Sequence, residues 1–272
     1  MILDLLSRSG TESHAFVARA NPVAKLVVAL GVPLALVVTV DVVTAGTALA
    51  LEVLALPWCG LGPRALLRAG WVVLLSALPA GVLTAILAPD GGSVLLPAGP
   101  LSVTAESGTA ALAIVLRILA IGLPGVVLVA TTDPTDLADA LAQLVRLPHR
   151  FVLSALAALR LFGVLAEEWR MLGLARRARG LGGDGGAFGW LRRARIFGGQ
   201  VFALLVLAIR RGTLLATAME ARGFGVEKRR TWARPSRFRR SDAVVALGGV
   251  VIAVAATAAG VAAGTWDLVI AA

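Results

Sequence analysis

Cysteine, histidine and lysine are scarce in this 272-residue chain, and each scarcity excludes something. Cys59 is the single cysteine, so no intramolecular disulfide forms. His14 and His149 are the only histidines, and with Cys59 they show no zinc-like spacing, so neither a metal nor another cofactor is expected. The two lysines, Lys25 and Lys228, stand outside any Gly-x-x-x-x-Gly-Lys-Ser/Thr sequence. P-loop ATP hydrolysis by this chain is thereby excluded, so any ATP energy it uses has to come from a partner. Charged residues are only 15% of the chain against 58% hydrophobic, with a mean hydropathy of +0.87, far outside soluble domains. The expected class is an all-α integral membrane protein. The opening "MILDLLSRSGTESHAF" lacks a compact apolar core before a small-residue cleavage site and reads as mature sequence.

Charge is distributed unevenly. Of the 26 Lys and Arg residues, 20 lie between Arg146 and Arg240, with five acids among them, a net +15; the remainder carries −5. Basic residues near spans stay on the cytoplasmic side, so this stretch is expected to be cytoplasmic. Val23 to Trp58 would make roughly 54 Å of helix against a hydrocarbon core of about 30 Å, so two short spans are expected with a turn near Asp41 to Gly46. A third span runs from Ala69 to Ala88. The loop "PDGGSVLLPAGPLSVTAES", with two acids and no basic residue, is expected outside. Ala110 to Ala130 returns inward carrying Arg117, which at mid-span has to face other helices and not lipid. A last span begins at Ala243. The expected organisation is a membrane domain of about four spans over residues 1–130, a cytoplasmic region over 131–240 and a final span within 241–272. The N-terminus is then cytoplasmic and the C-terminus external.

The basic region should contain helices with distinct jobs. Thr132 or Asp133 before Pro134 starts a short helix, with Asp136 and Asp139 in its first turns, that Pro148 stops after Leu147. A long amphipathic helix from Phe151 to Arg179 follows, then a glycine-rich break from Gly180 to Gly189. A third helix, Ile196 to Glu220, has an uncharged run of only 14 residues and is placed beside the membrane. The second and third helices both close on Ala-Arg-Gly: Ala178, Arg179, Gly180, and Ala221, Arg222, Gly223. Taken singly, each triplet reads as an ordinary glycine helix stop with an arginine suited to the macrodipole. Taken together, they read as two unshielded guanidinium groups, each able to enter a groove on another protein and pair with a carboxylate.

Other signals are weaker. Gly180, Gly182 and Gly185 match Gly-x-Gly-x-x-Gly, but no strand precedes them, and a linker is the better reading. Glu167 and Glu168 point about 100° apart on a helix and suit ion pairs with Arg160, Arg170 or Arg176 better than acid-base catalysis. The basic tail from Lys228 to Arg240 precedes a span, where anionic lipid is the expected partner and not nucleic acid.

In this order, "NPVAKL", "TTDPTDLADALAQLVRLPHRF", Arg160 with "EEWRMLGLARRARG", and "TAMEARGFG" resemble the transmembrane T-component of energy-coupling-factor transporters, which includes the membrane subunit of cobalt and nickel uptake systems. The tail "EKRRTWARPSRFRR" and the run "GLGGDGGAFG" depart from that pattern. The resemblance implies a non-catalytic subunit whose coupling helices dock on two related ATPases. It makes Arg179 and Arg222 the coupling arginines, with Ala178, Gly180, Ala221 and Gly223 giving them clearance. It also implies a separate substrate-capture membrane protein that selects a vitamin or a transition-metal ion. The competing class is a self-contained secondary transporter or integral membrane enzyme. A transporter of that kind needs converging polar groups at the midplane, and Asp41, Glu52 and Arg117 show no repeat. An enzyme needs an acid-base or nucleophile constellation, which the sequence does not display.

Overall fold

The computed structural model describes residues 15–39, 41–87, 94–98, 101–180, 189–224 and 232–265. Asn21 before Pro22 opens the first helix: its side-chain oxygen accepts from Val23 N at 3.0 Å, and proline occupies the first position, where no N–H is needed. The helices are α1 (Pro22–Val37), α2 (Val42–Cys59), α3 (Pro63–Leu87), α4 (Ala105–Thr131), α5 (Pro134–Gln143), α6 (His149–Ala178), α7 (Gly189–Ala221) and α8 (Arg240–Ala262). The protein is a multi-pass, all-α membrane protein. One addition to that class lies in the loop expected outside: β1 (Val94–Ala98) and β2 (Leu101–Thr104) form an antiparallel hairpin between α3 and α4.

The chain divides into two units, one of residues 1–140 with 236–272 and one of residues 141–235. In the first, α1, α2, α4 and α8 share a core of Val32, Leu36, Ala48, Ala120 and Ala256, and α3 packs on α4. Helix association in lipid lacks a hydrophobic drive and depends on close contact, so small residues belong at the crossings. The buried set follows this rule, with Ala24, Ala45, Ala77 and Ala113. A Cβ added at Gly122 would stand 2.5 Å from Val73 Cγ1, and one at Gly81 would overlap Val115. These two contacts run in opposite chain directions, as the intervening hairpin requires. Large apolar side chains instead face outward, among them Leu75, Leu78, Leu87, Leu247 and Val254, where a lipid phase solvates them.

Arg117 behaves as a mid-span arginine has to. Its Nη2 donates to Val37 O at 2.6 Å, satisfying a carbonyl that the end of α1 leaves without an intrahelical donor. Asp41 caps α2 through Thr44 N at 3.0 Å and accepts from Thr265 Oγ1 at 3.1 Å beyond the end of α8.

Three expectations change. Among the described residues, five helices are long and apolar enough to cross a membrane, and by that criterion they are not the five expected. Helix α1, at 16 residues, spans about 24 Å and falls short. By length and composition Arg193–Ala221 of α7 qualifies, because the helix continues unbroken past the arginine pair that ends its uncharged run. The helix expected to end at Leu147 ends at Gln143, because Arg146 takes a left-handed φ of 59° and Leu147 N closes the turn on Leu141 O at 3.2 Å.

Candidate functional site

Both Ala-Arg-Gly triplets lie in the second unit, and their local geometry matches. At the end of α6, Arg179 N donates to Ala175 O and Arg176 O, and Gly180 N to Arg177 O at 3.0 Å. At the end of α7, Arg222 N donates to Ala218 O and Met219 O, and Gly223 N to Glu220 O at 2.9 Å. Phe224 N then reaches Met219 O at 2.9 Å, completing a Schellman closure. Gly180 and Gly223 have φ of 71° and 73°. A side chain there would meet the carbonyl that glycine avoids, so the residue type follows from the closure itself. Ala178, Arg179, Gly180, Ala221, Arg222 and Gly223 are all exposed. Neither guanidinium has an ion-pair or side-chain hydrogen-bond partner among the described residues.

The two ends share a geometry but not a location. Helices α6 and α7 pack through Trp169 and Phe197, edge to face with centroids 5.4 Å apart, and through Arg176 Nη1, which donates to Ile196 O at 2.7 Å. Gly199 leaves room for the Arg176 guanidinium, 3.2 Å from where its Cβ would be. From Arg176 back to Glu168 on α6, the partners advance from Ile196 to Arg211 on α7, so the helices run in opposite directions through this contact. Arg179 lies about 9 Å of helix beyond Gly173 at the contact, and Arg222 about 33 Å beyond its neighbour Gln200, the opposite way. The site therefore presents two separated positive points rather than one basic pocket.

The glutamate pair takes one expected partner and one unexpected one. Glu167 pairs with Arg170 at 2.8 Å; this hydrogen bond and the carboxylate charge raise the affinity of the guanidinium for its proton, which leaves its charge unchanged. Glu168 turns to the other helix and pairs with Arg211. A step of about 100° between neighbours sends one acid to solvent and the other to α7. The Gly180, Gly182 and Gly185 signature continues into residues outside those described.

Sequence reasoning used "NPVAKL" only as a signature and missed what it builds. In the first unit, Asn21 N donates to Asp242 Oδ1 at 2.9 Å, and Asn21 Nδ2 donates to Ser236 Oγ at 3.0 Å and Arg237 O at 3.3 Å. Asp242 Oδ2 accepts from Arg239 N at 2.6 Å, closing a cap on α8. Buried Lys25 donates from Nζ to Ala18 O at 2.8 Å and Thr131 O at 2.9 Å. One short motif thus ties the start of α1 to the start of α8 and the end of α4. Its local signal was the Asn-Pro helix start, while the two distant partners left none.

A family model described as cobalt transport protein (CbiQ) matches residues 13–232. The energy-coupling factor transporter transmembrane protein EcfT of Limosilactobacillus fermentum is 33% identical over 202 residues, covering 72% of this chain and 71% of the relative. The protein of the same name from Leuconostoc gelidum subsp. gasicomitatum is 31% identical over 204 residues, 72% of each chain. That of Ruminiclostridium cellulolyticum is 32% identical over 161 residues, 57% of this chain and 60% of the relative.

Proposed function

We propose, because this chain belongs to the cobalt transport protein family, that it is the energy-coupling transmembrane subunit of an ATP-driven importer of the energy-coupling-factor type. Two ATP-binding-cassette subunits bind its cytoplasmic face, and it passes their conformational change to a substrate-capture membrane protein that selects a vitamin or a transition-metal ion. The observation that carries this reading is the repeated helix end: two exposed guanidinium groups, each before a left-handed glycine, facing opposite ways from one helix contact. A pair of related ATPases offers two similar acidic grooves, and two separated arginines of matching geometry suit such a pair. Residues 131–240 are then cytoplasmic, with α7 lying along the inner membrane surface although it is long and apolar enough to cross, and short α1 still serving as a span. The N-terminus is inside, the C-terminus outside and the basic tail against anionic lipid.

The test is co-isolation with the ATPases. Arg179→Ala and Arg222→Ala each remove a charge-assisted contact worth about 2 to 5 kcal/mol where the partner carboxylate is desolvated. Each variant should reach the membrane at normal levels with ATPase recovery and uptake sharply reduced, and the double variant should be worse than either. Arg→Lys restores little, since an ammonium lacks the planar fork. Arg193→Ala, exposed near the other end of α7, should leave recovery unchanged. Normal recovery and uptake in the double variant would refute the assignment. For the topology, a Cys59-free chain carrying Ser93→Cys should be labelled from outside intact cells, and one carrying Asp184→Cys should not.

A further inference from the structure

Helices α1, α2, α4 and α8 surround a cavity of about 830 Å³ in the first unit. Its wall is apolar, with Val28, Leu51, Leu123, Val127, Val245 and Ile252, and two charged residues also line it, Lys25 and Glu52. The lysine is accounted for by the carbonyls of Ala18 and Thr131. Glu52 is not: the residue is 6% exposed, and neither carboxyl oxygen has a hydrogen-bond partner among the described residues. Native proteins pair their buried polar groups, and the pressure to do so rises in a hydrocarbon phase, where the surrounding solvent offers no donor. An ionisable residue kept inside a membrane domain without a structural partner points to a ligand.

The shape agrees. An apolar cavity of this size with one convergent polar group fits a small lipophilic molecule. Its rim includes Leu54, Trp58 and Val244, all exposed on the outer surface, so entry is from the lipid phase. Two adjacent glycines of α8 behave differently. A Cβ at Gly249 would stand 2.6 Å from Val28 Cγ2, closing the helix contact, whereas one at Gly248, on the cavity wall, would meet nothing within 4 Å.

We propose that this cavity binds a lipophilic molecule bearing a hydroxyl or an amine, whose O–H or N–H donates to the Glu52 carboxyl while its hydrocarbon lies along the apolar wall. The site is independent of the coupling arginines, and its failure would leave the docking assignment standing.

The experiment uses the full chain in nanodiscs of phosphatidylcholine and phosphatidylglycerol, with photoreactive dodecylamine, dodecanol and dodecane as probes. Saturable labelling of residues 51–59 and 244–252 is expected from the amine and the alcohol, with the alkane at least tenfold weaker. Glu52→Leu should abolish that preference. Gly248→Leu should lower labelling by all three probes, and thermal melting of each variant confirms folding. Glu52→Ala, which removes the carboxyl without adding bulk, should also abolish the preference and covers the case in which the leucine variant does not fold, while Glu52→Gln, still a hydrogen-bond acceptor, should keep the alcohol preference. Extraction of the purified protein separates the sources. A stoichiometric hydroxyl- or amine-bearing lipid displaced by the probes assigns the site to the bilayer, and labelling with no such lipid assigns it to a free small molecule. Equal labelling by the three probes, or a preference unchanged in folded Glu52→Leu, overturns the proposal. Labelling seen only after deletion of residues 1–14 also overturns it, by making the chain's own N-terminal segment the occupant.

Discussion

Gly180 and Gly223, 43 residues apart in sequence, hold the same left-handed backbone conformation, with φ of 71° and 73°, one residue after the arginine that ends each long helix of the second unit. Alanine in that region costs about 1 to 2 kcal/mol and is relieved by letting the helix end unwind, which re-aims the preceding arginine. Gly180→Ala and Gly223→Ala should therefore lower ATPase recovery while leaving membrane insertion intact. Gly→Asn should be milder, since asparagine tolerates this conformation. Gly212→Ala, inside α7 with open space around the new Cβ, should leave recovery unchanged. Co-isolation on an affinity-tagged chain reads all of these.

The end of α1 depends on Arg117. Arg117→Met keeps the side-chain length but removes the donor to Val37 O, at a cost of about 1.5 to 3 kcal/mol for a charged hydrogen bond. A lower melting temperature in detergent is expected, with Arg117→Lys partly restoring it because an ammonium still supplies one donor. No change in melting on Arg117→Met would mean that another group satisfies the carbonyl.

The network around Asn21 should be cooperative. Asn21 N and Arg239 N share the two oxygens of Asp242, so Asp242→Ala leaves two backbone donors without their partners, and Lys25→Met removes two further bonds. Each change should destabilise the first unit by about 1 to 3 kcal/mol per group left unpaired. Asn21→Ala keeps the backbone N–H that meets Asp242 and removes only the side-chain bonds to Val23 N, Ser236 Oγ and Arg237 O. It therefore adds less on the Asp242→Ala background than alone only where loss of Asp242 has already shifted the start of α8. A melting series of the single and double variants measures the coupling.

Adjacent glycines of α8 should respond oppositely to one methyl group. Gly249→Ala drives a Cβ into Val28 and should cost about 1 to 3 kcal/mol through overpacking, while Gly248→Ala meets nothing and should be neutral or slightly stabilising through helix propensity. Equal melting temperatures for the two variants would show that the α1 and α8 contact relaxes freely.

Much of this protein follows from local chemistry. Its hydropathy and the concentration of arginine after Arg146 required a membrane protein with a basic region. The helix limits at Pro22, Pro134, Gly180 and Gly223 follow from residues whose backbone preferences act within one turn, so sequence alone determined them, along with the repeated arginine ends. What it could not determine are the partners at long separation. Glu168 meets Arg211 on another helix, Arg117 reaches Val37 80 positions away, and Asn21 meets Asp242 221 positions away. None of these pairs is marked by spacing, because helix packing and not chain proximity brings them together. Packing also leaves Glu52 facing a cavity without a hydrogen-bond partner among the described residues, and sends the helices that end at Arg179 and Arg222 in opposite directions. A run of apolar residues specifies that a helix is buried in lipid or protein, but which of its faces meets which neighbour is settled by the small-residue contacts of the assembled bundle, and only the tertiary structure contains them.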